Sequence, residues 1–506
     1  MNNSSALHKS DNSAGWFRYQ FLDRKLNTVL GYIIFGLLAI ACAYCTALID
    51  FKAGFAFFGF FAAIFVIALF LRYPYFGLYF TVVYSAITSL LSRLTPSADL
   101  PFVSFTDAFG YLLLLSVVIK YKYRSQVDKR FLYNPISIAL LIMLAFYIIQ
   151  VVNPNMFSTL GWFSYTRKYF LQLCFFFSCY CLFDSWKRVK TFIYFWIIFA
   201  TLLAMYSCKQ QWFGLADFEW NWLNAHPKQY DLYLQWGLLR KFSIFSDPAA
   251  SGIFFASVAT QCIILIIREK ILKVRVWLSI AAMFNLMAYA YSGTRTATLM
   301  VVAGIAFYMI ATINERRTLI FALLCVVGFL TLMYMPFSPP AIGRIRSTFT
   351  MGAKDASATI RDVNRHRVQP YLYDHPMGGG IFTCISEGSK YNPGHYLEKF
   401  PPDSGYMKVF AEQGWIGLGL LLICYYLILR QGIKTFYLTL DPEIQNHCLA
   451  MVILLFTLMV GQYSQIAMGL EPEIYYYFGA YVFFLKIPEF NKTTLFQKEH
   501  PLKHQS

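Results

Sequence analysis

The stretch MVILLFTLMVGQYSQIAMGL, residues 451–470, has no charged residue over the length of a bilayer-crossing helix. About 20 helical residues span the hydrocarbon core, so the segment reads as a transmembrane helix. VLGYIIFGLLAIACAYC, residues 29–45, reads the same way. A membrane β-barrel would show short alternating segments instead of continuous apolar runs. Composition carries this over the whole chain: of 506 residues, 58% are hydrophobic, 19% aromatic and only 14% charged. Soluble domains are closer to one quarter charged. The expected fold class is an all-α polytopic membrane protein.

Apolar runs predict about fourteen spans. They fall near 28–49, 54–71, 75–91, 105–120, 135–153, 166–183, 188–207, 248–267, 274–292, 294–312, 317–335, 406–429, 446–468 and 472–486. The second, third and last are short, which also admits twelve. If the N-terminus is cytoplasmic, every even-numbered connection should be basic. They are: RYP, KYKYRSQVDKR, DSWKRVK, REKILKVR, NERR, RQGIK and the tail from Lys486. The expected organisation is a cytoplasmic tail over 1–27, a bundle over 28–335, helices over 406–486 and a second cytoplasmic tail over 487–506. The polar N-terminal stretch lacks a cleavable signal pattern, so the first span reads as a retained anchor. Two long loops, about 208–247 and 336–405, then face outward.

The formal net charge of +17 is partly this topological signal. The 336–405 loop alone holds eight Lys or Arg, including GRIRSTF and IRDVNRHR. A basic outer loop suggests an anionic partner, and phosphate fits better than nucleic acid on that face. The other loop is rich in Trp, Tyr and Asp, which suits the lipid headgroup level and also sugar stacking. Most cysteines sit in apolar spans as small hydrophobes. Cys208 and Cys384 lie near or in outer loops, where a disulfide is one option. No spacing resembles a zinc site, and the carboxylates of DFE, 217–219, lack the context of a metal site.

Polar groups gather on one side. Asp107, Arg167, Lys168, Arg295, Asp403 and Glu412 all map to the outer ends of spans, where ionisable residues are costly and mark function. A transporter would place its groups near mid-membrane. YSGTRTATL, 291–299, puts Arg295 at the interface, either snorkelling to headgroups or presenting a fixed fork to a phosphate. LLRKFSIFSDPAASGIF, 238–254, offers Arg240, while Asp247 before Pro248 reads as a helix N-cap. A helix is expected near 357–372, with Arg361 and Arg365 one turn apart on one face. HPMGGGIF then provides a close-approach turn. Asp403 reads either as a general base or as the N-cap of the following span. His395 and His375 are other candidate bases, and Glu412 reads as an outer-end partner that orients an arginine.

Four motifs stand in order: RKFSIFSDP, YSGTRTA, IRDVNRHRVQPYLYDHPMGGGIF and DSGYMKVFAEQGWIGLGLL. Over roughly 235–430 the chain resembles the O-antigen ligase and polymerase superfamily, in which YSGTRTA matches a Ser-x-Ser-Arg element with Thr294 for the second Ser. The resemblance implies a GT-C type fold and glycosyl transfer without nucleotide, cofactor or metal. The donor would be an undecaprenyl-diphosphate-linked glycan, and the acceptor a glycan, lipid A-core or a protein. Arg295 and Arg361 would engage the diphosphate, with Arg240 a third, and Arg365 and His395 would line the substrate site. Ligases of the family carry His-Asn where this chain has Asp403-Ser404, which leaves the choice between ligase, polymerase and protein O-glycan transferase open. The implied location is the bacterial inner membrane, with both termini cytoplasmic. The expected geometry is one outer pocket holding Arg240, Arg295, Arg361 and Asp403. The rival reading is a lipid-linked oligosaccharide flippase or exporter.

Overall fold

The computed structural model describes residues 28–44, 51–95, 102–122, 131–235, 237–336, 340–350 and 356–499. Contacts divide the chain into residues 1–73 and 74–506. The first unit holds α1 (Val29–Tyr44) and α2 (Phe51–Arg72). The second begins with α3 (Pro74–Leu94), α4 (Phe102–Lys122), α5 (Pro135–Ile149), α6 (Thr159–Leu182) and α7 (Trp186–Trp212). Two short helices, α8 (Asp217–Ala225) and α9 (Pro227–Tyr233), lead into a two-residue hairpin, β1 (Leu234–Gln235) against β2 (Leu238–Leu239), antiparallel. Long helices resume with α10 (Pro248–Arg268), α11 (Leu272–Ser292), α12 (Arg295–Ala311) and α13 (Arg316–Tyr334). After them come α14 (Pro340–Thr350), α15 (Ala356–Asp374) and α16 (Ile385–Tyr391), and last α17 (Gly405–Leu438), α18 (Pro442–Gly461) and α19 (Glu473–Glu499).

Each of the fourteen apolar runs overlaps one of these helices, the end of the first run, 45–49, lying outside the described residues. Among the described residues, nine helices are long and apolar enough to cross a membrane. α6 is not one of the nine, and its first half holds Arg167 and Lys168. α12 is one of two shorter apolar helices. Helix ends differ from the expected span ends mainly at α17, which runs to Leu438, and at α19, which runs through Pro488 to Glu499.

Depth in the bundle differs between helices of similar hydropathy. The apolar windows of α10 and α18 are each 83% buried, and that of α13 only 6%. A helix apolar on every side belongs in the centre, and one left uncovered belongs against lipid. Small residues let the central helices approach: a Cβ on Gly304 of α12 would collide with Thr457 of α18 and Thr260 of α10. Polar side chains inside this core are partly hydrogen-bonded: Gln261 Nε2 donates to Tyr476 Oη at 2.6 Å and Asn446 Nδ2 to the Leu265 carbonyl at 3.2 Å, while Gln261 Oε1 and Asn446 Oδ1 meet no partner among the described residues.

The aromatic segment between α7 and α10 builds its own small core from Leu223, Tyr233 and Phe242 with Trp222 packed on it. Arg93 of α3 anchors it, with its guanidinium 4.8 Å from the Trp222 ring and 4.5 Å from that of Phe242. It donates to the carbonyls of Phe245 and Ser246. Glu219 of the DFE segment is buried and accepts hydrogen bonds from Gln210 Nε2 (2.6 Å), Tyr206 Oη (3.0 Å) and the Ala216 amide (2.8 Å). Cys208 and Cys384 are both buried free thiols, so the disulfide option is not taken.

Candidate functional site

The helix opened by DSGYMKVFAEQGW is broken one residue before Trp415. Gly414 sits at φ 67°, ψ −164° inside α17. Opening the helix there leaves carbonyls without their usual partners, and the HPMGGGIF turn supplies them. The amides of Gly379 and Gly380 donate to the Ala411 and Glu412 carbonyls at 2.8 and 2.9 Å, and the Trp415 amide donates back to the Pro376 carbonyl at 3.0 Å. A Cβ on Gly414 would collide with that Pro376 oxygen, and one on Gly378 (φ +77°) with the backbone of Gln413 and Gly414. Two motifs far apart in sequence therefore lock into one backbone unit.

Helix faces around this lock enclose a cavity of about 590 Å³. α6 contributes Tyr165, Lys168, Tyr169 and Gln172, one face at helical spacing. α19 contributes Ile474, Tyr477, Phe478 and Tyr481 on the same pattern, and α17 supplies Lys408, Glu412, Gln413, Leu421 and Tyr425. The first turn of α10, with Asp247, Ala249 and Ala250, forms another wall. Asp403 lines the cavity and is half-buried, with no hydrogen bond or ion pair to the described residues. The N-cap of α17 is its neighbour Ser404, whose Oγ accepts from the Met407 amide at 3.4 Å. Asp247 does cap α10, accepting from the Ala249 and Ala250 amides at 2.8 and 2.9 Å.

Beside the cavity, Gly293 (φ 61°) ends α11 in a left-handed turn, around which three arginines gather. Arg240 donates from Nε to the Ser292 carbonyl (2.7 Å) and from Nη2 to Thr294 Oγ1 (2.9 Å). Arg344 of α14 donates to the Gly293 carbonyl and to Gln235 Oε1. Arg295 shares a small cleft with Arg344 and Thr294. Burial, and then the positive charge of Arg344, pull the Arg240 guanidinium down to about 10, while Asp247 acts in the opposite direction. Such a cluster favours the arrival of an anion.

The α18–α19 loop joins these parts. The Gln462 carbonyl accepts from the Gly405 amide at 2.9 Å and from Ser404 Oγ at 3.1 Å. Tyr463 Oη accepts from Arg365 Nη1 at 3.3 Å, under a guanidinium 5.0 Å from its ring. Ser464 Oγ lies 2.7 Å from Thr296 Oγ1, next to Arg295. Three consecutive residues thus reach three of the motifs.

Convergence differs from expectation in detail. Asp403 and Glu412 line the cavity; Arg240, Arg295, Arg361, Arg365 and His395 do not. Arg240 and Arg295 flank it across the first turn of α10, where Thr294 Oγ1 donates to the Pro248 carbonyl at 3.0 Å. Arg361 is half-buried on α15, one turn before Arg365. Glu412 meets no arginine among the described residues: its Oε1 accepts from the Cys384 amide at 3.3 Å, and its cationic neighbour is Lys408, 3.7 Å from Glu387. The geometric reason is that α17 turns this face toward the HPMGGGIF loop. His395 is buried, its Nδ1 accepting from the Leu397 amide at 3.0 Å, and burial lowers its pKa. His375 stacks on Tyr371 at 4.1 Å. Sequence reading passed over Arg344, Lys408, Gln413 and the GQYSQ loop; only the basic GRIRSTF run pointed to the first of them.

Residues 278–422 match a family model described as O-antigen ligase. The match supports the O-antigen ligase and polymerase superfamily for this chain. The O-antigen ligase segment runs from α11 into α17, and so takes in Arg295, Arg344, Arg361, the glycine lock and Asp403. It supports an enzyme of the glycan ligase or polymerase kind in a multi-pass membrane protein. No curated protein matches the chain.

Proposed function

We propose that the chain transfers a glycan from undecaprenyl diphosphate to an acceptor hydroxyl at the periplasmic face of the inner membrane. The supporting observation is that Arg240, Arg295 and Arg344 gather around the Gly293 turn beside a chamber lined by Asp403, a carboxylate with no hydrogen bond or ion pair among the described residues. Asp403 accepts the proton as the acceptor oxygen bonds to the anomeric carbon. The bond from that carbon to the diphosphate oxygen breaks, and the diphosphate departs with the electron pair. Its growing charge meets Arg240, Arg295 and Arg344, which stabilise the transition state more than the ground state. Arg361 and Arg365 offer two further cations to the carrier from α15.

Proteoliposomes loaded with polyprenyl-diphosphate glycan and acceptor test this reading. Arg295→Ala and Arg240→Ala are each expected to lose on the order of a hundredfold in transfer rate while accumulating normally. Asp403→Asn is expected to lose about 10²- to 10⁴-fold. Near-wild-type transfer by both arginine variants would overturn the assignment.

A further inference from the structure

Resting on the transfer reading, we infer that Gln210 of α7 and Arg93 of α3 are positioning residues for the diphosphate site. Together they fix the RKFSIFSDP loop, and with it Arg240 at one end and Asp247 at the other. Neither residue lies within the matched segment 278–422, and neither lines the cavity or the cleft at Gly293.

The middle of the loop has a backbone that must be held. Ser243 sits at φ 50°, a left-handed conformation that costs a residue with a side chain and persists where the surroundings over-determine it. Gln210 grips it from both sides: its Oε1 accepts from the Ser243 amide at 2.8 Å, and its Nε2 donates to the Ser243 carbonyl at 3.1 Å. The Ser243 hydroxyl donates to the Leu203 carbonyl, also on α7, at 2.9 Å. Gln210 is itself held, because its Nε2 donates to Glu219 Oε1 at 2.6 Å. Ser243, Gln210 and Glu219 are all fully buried.

Arg93 holds the second half of the loop. Its guanidinium donates to the carbonyls of Ser243, Phe245 and Ser246, and Tyr233 Oη donates to the same Ser246 carbonyl at 2.6 Å. A buried guanidinium needs opposite charge nearby, and Glu219 and Asp247 supply it. The Trp222 ring is occupied by Arg93 at 4.8 Å and by His226 at 4.9 Å, so it packs this scaffold. At the front of the loop, the Arg240 amide donates to the Tyr233 carbonyl at 3.0 Å and the Lys241 amide to the Tyr291 carbonyl at 3.1 Å. The loop is thereby seated against the end of α11, where the Arg240 guanidinium meets Ser292 and Thr294. Releasing Ser243, three residues on, lets that seat shift. A displacement on the order of 1 Å is enough to lose most of what a preplaced anion contact contributes.

Hydrogen–deuterium exchange and calorimetric titration with inorganic pyrophosphate, on the detergent-purified full chain well below its thermal midpoint, test this together. Gln210→Met removes the amide at matched length, and Arg93→Lys keeps the charge but loses the fork. In both, residues 240–246 should exchange about tenfold faster while α10 and α18 are unaltered. The pyrophosphate dissociation constant should rise about tenfold or more. Gln211→Met, an exposed neighbour on α7, should change neither. Gln210→Glu combined with Glu219→Gln exchanges carboxylate and amide and leaves an acceptor for the Ser243 amide, so it should recover part of both. A role in filling space alone would not be rescued this way, since Gln210→Met already fills the space.

Unaltered exchange over 240–246 in both single variants, faster exchange with wild-type pyrophosphate affinity, or an exchanged pair no better than Gln210→Met would overturn the proposal. Failure of both single variants to fold would overturn it as well, because the two residues would then serve the whole bundle. A wild-type chain that binds no pyrophosphate would remove the diphosphate reading instead, and the exchange alone would decide whether the two residues hold the loop.

Discussion

At the residue scale, Asp403 and Ser404 divide two roles that the sequence left on one position. Ser404 caps α17, so Ser404→Ala should cost about 1 kcal/mol of stability, read as a lower thermal midpoint, with transfer retained. Asp403→Asn should do the reverse, keeping the midpoint and losing transfer. Equal loss of stability in both would return Asp403 to a structural role. Glu471, between α18 and α19, carries a second consequence. Burial raises its carboxyl to about 7, against the pull of Lys168. A carboxyl raised in the fold binds more protons native than unfolded, so its contribution is present below about pH 4.5 and is lost as pH rises toward 7. Glu471→Gln should therefore raise the thermal midpoint at pH 8 and leave it little changed at pH 4.5. A gain that is the same at both pH values would show that the charge is not the cause.

At the element scale, the lock between HPMGGGIF and α17 was half legible. Glycines predict a close-approach turn, and GLY at 414 is visible in EQGW, but no local pattern says that one turn fills the gap in the other helix. The pairing is long-range, and backbone hydrogen bonds between distant segments leave no periodicity in the sequence. Gly414→Ala places a side chain at φ 67° and against the Pro376 carbonyl. The conformation alone, one that essentially only glycine adopts, costs roughly 1–3 kcal/mol, and the collision adds to it. Gly414→Ala should lower both accumulation and transfer, whereas Gly419→Ala, with open space around its Cβ, should lower neither. Parity between the two would mean that the lock is dispensable. The long apolar helices were the easy part: continuous apolar runs locate fourteen of the nineteen described helices, because lipid leaves a helix no alternative to satisfying its own backbone. The rim was harder. Arg344 lies 51 residues beyond Gly293, and nothing in GRIRSTF distinguishes the arginine that turns inward from Arg346, which donates to the Leu332 and Met335 carbonyls.

At the scale of the whole molecule, the gathering of three guanidiniums beside the cavity makes a prediction about the free protein. Arg240 is held at about 10 because it is buried and shares its surroundings with Arg344 and Arg295. That repulsion is a cost carried by the empty fold, and an anion between the guanidiniums offsets it. Inorganic pyrophosphate should therefore raise the thermal midpoint of the purified chain, with a dependence on concentration that follows ligand linkage: about 2.7 kcal/mol at one hundred times the dissociation constant. Arg344→Gln should remove most of this stabilisation, measured against the variant's own midpoint without pyrophosphate, because the variant also loses the hydrogen bonds to the Gly293 carbonyl and Gln235 Oε1. Sulfate at matched ionic strength separates site binding from screening, since a single tetrahedral anion bridges fewer guanidiniums than a diphosphate. If pyrophosphate and sulfate shift the midpoint equally, or if Arg344→Gln responds like the wild type, the three arginines do not act as one diphosphate site.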